Sequence, residues 1–77
     1  MKVFILKHTK GESISQEEER LGTYDTLKGA INNLKDSFVW FLNNDSCYYA
    51  NLDISHGTAT ITYSNTIHHL EIIEVNV

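Results

Sequence analysis

The chain opens with Val3-Phe4-Ile5-Leu6, apolar at four consecutive positions between Lys2 and Thr9. A strand with one wet face alternates, so this run predicts a strand covered on both faces, as in the middle of a sheet. Lys10 to Gln16 is polar apart from Ile14 and contains Gly11, which reads as a turn or loop. A second strand begins at Glu17 to Glu19 and continues through Leu21, Gly22 and Tyr24. Its charges and its glycine suit a sheet edge, where charged side chains discourage further pairing.

The period then changes. Leu27, Ala30, Ile31, Leu34, Phe38, Phe41 and Leu42 recur three or four residues apart, which places them on one stripe of a helix. Asp25 and Thr26 are good N-cap residues, and Asn43, Asn44 and Asp45 end the pattern. Val39 and Trp40 widen the stripe towards its C-terminal end. Gly29 costs about 1 kcal/mol of helix propensity relative to Ala, so it is expected where the first turn packs closely on the sheet.

From Tyr48 the alternation of strands returns. Tyr48 to Ser55 and Thr58 to Tyr63 flank His56-Gly57, a two-residue turn by its composition. That loop pairs Ile54 with Ala59, Leu52 with Ile61 and Ala50 with Tyr63 on one face. Ser55 with Thr58, Asp53 with Thr60 and Asn51 with Thr62 then share the other. Ser64-Asn65 makes the next turn, and Thr66 to Val77 is the last strand. His68, Leu70 and Ile72 fall on its core face, with Ile67, His69, Glu71 and Ile73 opposite.

The first and last strands are apolar on both sides and belong in the centre. The prediction is one α+β domain over residues 1–77: a five-stranded antiparallel sheet, β-β-α-β-β-β in order 2-1-5-4-3, with one helix on one face. A helix of about 18 residues spans roughly 27 Å and four inter-strand steps about 19 Å, so one diagonal helix can carry the chain from edge to edge.

Charge and composition narrow the function. Six basic against ten acidic residues give a net charge of −4, which opposes direct nucleic-acid binding, because phosphates demand clustered Lys and Arg. No apolar run is long enough for a membrane span, and four apolar residues after Lys2 are too few for a signal peptide. A lone Cys47 permits no internal disulfide; that fits a reducing, cytoplasmic setting. Below roughly 70–80 residues one core contributes only about 3–5 kcal/mol, so a partner subunit is a natural expectation.

Catalytic patterns are missing. His68 and His69 are consecutive in a strand and point to opposite faces, so they do not grip one metal ion together. His8 reaches one of them if the first and last strands are neighbours, which still leaves the ligand set short. Cys47 stands beside Tyr48 and Tyr49 without a nearby base and reads as buried. Asp53, Thr60 and His69 form a polar row too widely spaced for a direct Asp–His pair. The glycines are scattered at 11, 22, 29 and 57, with no phosphate loop. Neither an enzymatic activity, a cofactor nor a metal is expected. Glu12, Glu17, Glu18 and Glu19 read as charges that keep an edge strand in solution.

Met1 to Leu6 with His8, then Glu18-Glu19, Leu21-Gly22, Tyr24, Thr26 and Ala30, resembles small uncharacterised bacterial and phage single-domain proteins. Those have a strand ending near a histidine, then a Leu-Ile-Gly-Val-Tyr-Ser-Ser-like segment opening a helix. The likeness covers residues 1–34 and implies no activity.

What remains is a binding protein. The expectation is a module that occupies a surface of another protein, such as a phage- or mobile-element-encoded inhibitor of a host defence or regulatory protein. The alternative is a small-molecule binder that sequesters a nucleotide signal, with Trp40, Tyr48, Tyr49, Tyr63 and the histidines stacking on a base. One helix covers one sheet face only. The other should present Val3 and Ile5 (or Phe4 and Leu6) and Val75, with Tyr49, Asn51, Thr60, Thr62, Ile67, His69 and Ile73 as the interaction surface. Four apolar side chains buried there contribute on the order of 6–10 kcal/mol before association costs, so a homodimer or a partner complex is expected on this face.

Overall fold

In the computed structural model, which describes residues 1–12, 16–44, 49–62 and 66–77, the doubly apolar strands do take the centre. The order along the chain is β1 (Lys2–Glu12), β2 (Gln16–Tyr24), α1 (Leu27–Asn44), β3 (Tyr49–Asp53), β4 (Thr58–Thr62) and β5 (Thr66–Asn76). One sheet runs β2-β1-β5-β4-β3, and every neighbouring pair is antiparallel. β1 and β5 pair over their whole length, from Lys2 opposite Asn76 to Glu12 opposite Thr66. No helix among the described residues is long and apolar enough to cross a membrane.

Two boundaries differ from the sequence pattern. β1 runs on through Gly11 and Glu12, and β2 starts at Gln16, so most of the expected loop is strand. The physical reason is β5: an eleven-residue partner supplies ladder hydrogen bonds to a stretch whose composition alone suggests a turn. The β3–β4 hairpin is the second difference. Its pairs are Leu52 with Ala59, Ala50 with Ile61, Asn51 with Thr60 and Asp53 with Thr58, two residues away from those of a His56-Gly57 turn. A turn of 3-10 helix, Ile54–His56, intervenes, and Gly57 closes it at φ 66°, a left-handed conformation that favours glycine. Because the shift is two residues, every side chain keeps its face. Ile54 and Ser55 leave the sheet for that turn and stand exposed. The β4–β5 register, Thr60 with His69 and Ile61 with His68, is the expected one. Its Ser64-Asn65 turn lies outside the described residues, as do Cys47, Tyr48 and Tyr63.

Thr26 caps α1: the Gly29 N–H donates to Thr26 Oγ1 at 3.1 Å, which satisfies one orphan donor of the first turn. A Cβ at Gly29 would meet that hydroxyl at 3.2 Å and Tyr24 Cβ only at 3.9 Å, so the tight neighbour is the cap rather than the sheet. Leu34 packs with Leu6, Ala59, Ile61 and Leu70 in the core, all at most 1 % exposed. Phe38, Phe41 and Tyr24 pack against that cluster from its rim. The stripe does not widen as the sequence suggests. Val39 and Trp40 are more than half exposed, and Leu27 nearly half, since α1 covers the middle of the sheet and its flanks overhang.

A candidate interaction face and a buried polar cluster

Strand pairing settles which residues share the uncovered face. Leu6, Ala59, Ile61 and Leu70 lie under the helix, so their strand neighbours point the other way. On β1 and β5 the uncovered face shows Val3 opposite Val75, Ile5 opposite Ile73, Lys7 opposite Glu71, Thr9 opposite His69 and Gly11 opposite Ile67. Phe4 and Leu6 belong to the helix side. β4 continues the rows with Thr58, Thr60 and Thr62, and β3 with Asp53, Asn51 and Tyr49. All seven residues of the expected interaction surface (Tyr49, Asn51, Thr60, Thr62, Ile67, His69, Ile73) therefore stand on one face. Tyr49 and Ile67 are 60 % and 50 % exposed, and they end one row, on either side of Thr62. The polar row itself is Asn51-Thr60-His69 rather than Asp53-Thr60-His69, because of the shifted hairpin. His69 Nδ1 lies 3.3 Å from Thr60 Oγ1.

On the helix side the sheet hides a polar chain. His8 is 6 % exposed. Its Nδ1 lies 2.9 Å from Glu19 Oε1 and its Nε2 2.8 Å from His68 Nδ1. An ionised carboxylate only accepts, so His8 Nδ1–H donates to Glu19, and one hydrogen is shared between His8 Nε2 and His68 Nδ1. Phe41 lies against both imidazoles, with centroids 4.8 and 4.7 Å away. Among the described residues no buried side-chain polar atom lacks a hydrogen-bond partner.

A β-bulge builds this chain. Leu6 pairs with Gly22 but Lys7 with Arg20, which leaves Leu21 extra on β2. Without the added residue His8 would face Arg20; with it, Glu19 stands opposite His8 and Arg20 turns to the uncovered face. The sequence reading did not foresee the Glu19–His8–His68 chain, although His8 and His68 were each placed on their strands. The adjacent Leu21-Gly22, an apolar residue beside a glycine in an otherwise alternating strand, is the signal that marks the bulge. The acidic cluster is correspondingly engaged: Glu18 pairs with Lys7 at 2.9 Å, and Glu17 stands opposite Lys10.

Neither polar group has the geometry of a catalytic triad. A carboxylate-oriented imidazole resembles a general base, but His8 Nε2 is already committed to His68 and covered by Phe41. Asp53, Ser55 and His56 bring the residue types of a hydrolytic triad into one turn. Ser55 Oγ–H donates to Asp53 Oδ1 at 2.7 Å, and His56 Nδ1–H to Asp53 Oδ2 at 2.6 Å. In a triad the serine hydroxyl bonds the imidazole nitrogen remote from the carboxylate. Here Asp53 receives both, together with the His56 N–H, and acts as the cap of the 3-10 turn. These bonds, Ser55 first and then His56, hold the Asp53 carboxyl below its ordinary pKa. Among the described residues no group of three His, Cys, Asp or Glu is placed to hold a metal ion.

An open recess of about 400 Å³ lies beside the helix, lined by Glu19, Leu21, Asp36, Ser37, Trp40 and Phe41. Its two carboxylates repel phosphate. Trp40 belongs to this side and Tyr49 to the other, so these two do not converge on one site; Tyr48 and Tyr63 lie outside the described residues.

Comparison of the chain with protein-family models, curated proteins and solved structures finds no match.

Proposed function

We propose that this chain is a non-enzymatic protein-binding module whose working surface is the sheet face away from α1. The observation that carries the reading is the composition of that face. Val3, Ile5, Ile73 and Val75 form a contiguous apolar block on the two central strands, and threonines, Asn51, Arg20 and Glu18 flank it. An apolar centre with a polar rim is the anatomy of an interface, and contiguous apolar area of this kind seldom faces water without a role. An inhibitor that occupies a host regulatory or defence protein is the form of this function that suits an acidic single domain.

The test compares three baits in parallel: the wild-type chain, the Ile67→Glu/Ile73→Glu variant and the Trp40→Ala variant on the opposite side. A protein retained by the wild type and by Trp40→Ala, and lost from the double variant by at least tenfold in affinity when reconstituted pure, supports the reading. Equal retention by all three baits would overturn it.

A further inference from the structure

We infer that the occupant of this face is a second copy of the same chain, related by a two-fold axis that runs parallel to β1 and β5 and passes between them. The inference rests on the protein-binding reading above and replaces a host protein with a second copy as the partner of this face. Such an axis exchanges the two central strands and leaves each row at its own level. Each residue of β1 then lies over the residue that pairs with it on β5.

The rows are self-complementary under that operation. Val3 meets Val75 of the second copy, and Ile5 meets Ile73, so apolar falls on apolar. One row on, Lys7 meets Glu71 twice over. Within one chain Lys7 already reaches Glu18 at 2.9 Å, and among the described residues the cation nearest Glu71 is His69 Nε2 at 3.9 Å. The second copy's ammonium supplies Glu71 with a closer cation. Thr9 falls over His69, and Gly11 leaves room for Ile67.

Other placements fail on the same rows. An axis over β5 sets Glu71 on Glu71, and one over β1 sets Lys7 on Lys7. An axis between β5 and β4 brings Lys7 over Asp53 but carries Ile73 off the sheet onto the His56 turn. An axis across the strands at the Lys7–Glu71 row lays Val3 and Ile5 over the polar rows of Thr9 and Gly11. Of these placements the axis between β1 and β5 matches both charge and hydropathy, and an isologous contact of this kind closes at two copies.

The size fits as well. The axis lays β1 over β5 and β2 over β4 of the second copy and leaves β3 at the outer margin. Central strands of eleven residues each, about 36 Å, and three inter-strand steps, about 14 Å, give a face on the order of 500 Å² per copy, about 1,000 Å² in total, the lower size of a specific interface.

Sedimentation or light scattering at micromolar concentration, with Lys7→Glu, Glu71→Lys and their equimolar mixture, tests the arrangement. The wild type should show twice the 8.8 kDa chain mass. Each variant alone sets like charges on each other and should associate at least tenfold more weakly, whereas the mixture restores two opposite pairs and should recover the dimer. In a second measurement, chains carrying Thr9→Cys and chains carrying His69→Cys should form a mixed disulfide far faster than either alone. The proposal is overturned by a wild-type mass of 8.8 kDa, by variants that dimerise undiminished, or by a folded mixture that neither re-associates nor cross-links. If the wild type is monomeric while Ile67→Glu/Ile73→Glu still loses a purified partner, self-association fails and the protein-binding reading stands.

Discussion

The two faces of this sheet are built from the same strands and end in opposite conditions. Under α1, Leu6, Ala59, Ile61 and Leu70 are sealed to 1 % exposure or less, and even His8 is buried with both ring nitrogens bonded. On the far side Val3, Ile5, Ile73 and Val75 are only partly covered, although they lie on the same two strands as Leu6 and Leu70. The difference teaches that hydrophobicity alone does not mark the core of a small sheet protein. One helix has one apolar stripe, so one set of alternate residues is dried by the monomer and the other is left for something else.

That contrast can be broken from either side, and the largest effect is expected in the closed layer. Leu70→Ala removes a fully buried side chain and should lower unfolding stability by about 2–5 kcal/mol, comparable with the roughly 3–5 kcal/mol one core of this size supplies. Ile73→Ala, three residues along, should cost less in dilute solution and more as concentration rises, because in the proposed dimer its burial depends on association. Urea unfolding at two protein concentrations checks both; equal, concentration-independent losses would erase the distinction between the faces.

The polar chain ranks next. His8→Ala strips Glu19 and His68 of a hydrogen bond in a largely buried place, and about 1–3 kcal/mol should follow. Glu19→Ala should cost less, since that carboxylate is 59 % exposed. A double-mutant cycle measured by denaturation gives their coupling.

Gly57→Ala forces a β-carbon into the left-handed region at φ 66°, 3.3 Å from Ile72 Cβ. About 1–2 kcal/mol of destabilisation is expected from the backbone conformation, read as a fall in melting temperature. The smallest effect belongs to Asp53. Its folded-state pKa lies below the ordinary value, so its contribution is present above the unfolded pKa and fades as pH falls through the folded one. Stability of Asp53→Ala should therefore approach that of the wild type on acidification below about pH 4, with the gap open at neutral pH. Thermal unfolding across that range shows the convergence or its absence.

How much of this could be read from the residues follows a physical line. Strand order was legible because Val3 to Leu6, and Ile72, Ile73, Val75 and Val77 at the end of the last strand, put apolar residues on both faces, and only central strands need that. Face assignment was legible because a period of two survives a register error of two: the β3–β4 hairpin is displaced, yet Ala50 and Leu52 still point under the helix. The seven residues of the interaction surface shared a face for the same reason. The length of β1 was not legible, since Gly11 and Glu12 are held by pairing to a distant β5 rather than by their own propensity. Nor was the β2 bulge. Whether Glu19 or Arg20 meets His8 depends on a one-residue shift in a polar edge strand, where no hydrophobic pattern enforces a register. The alternating pattern by itself determined which side chains go together. Tertiary pairing decided which charges meet, because a ladder hydrogen bond is blind to the side chain it carries, and only the packed sheet fixes where an extra residue is absorbed.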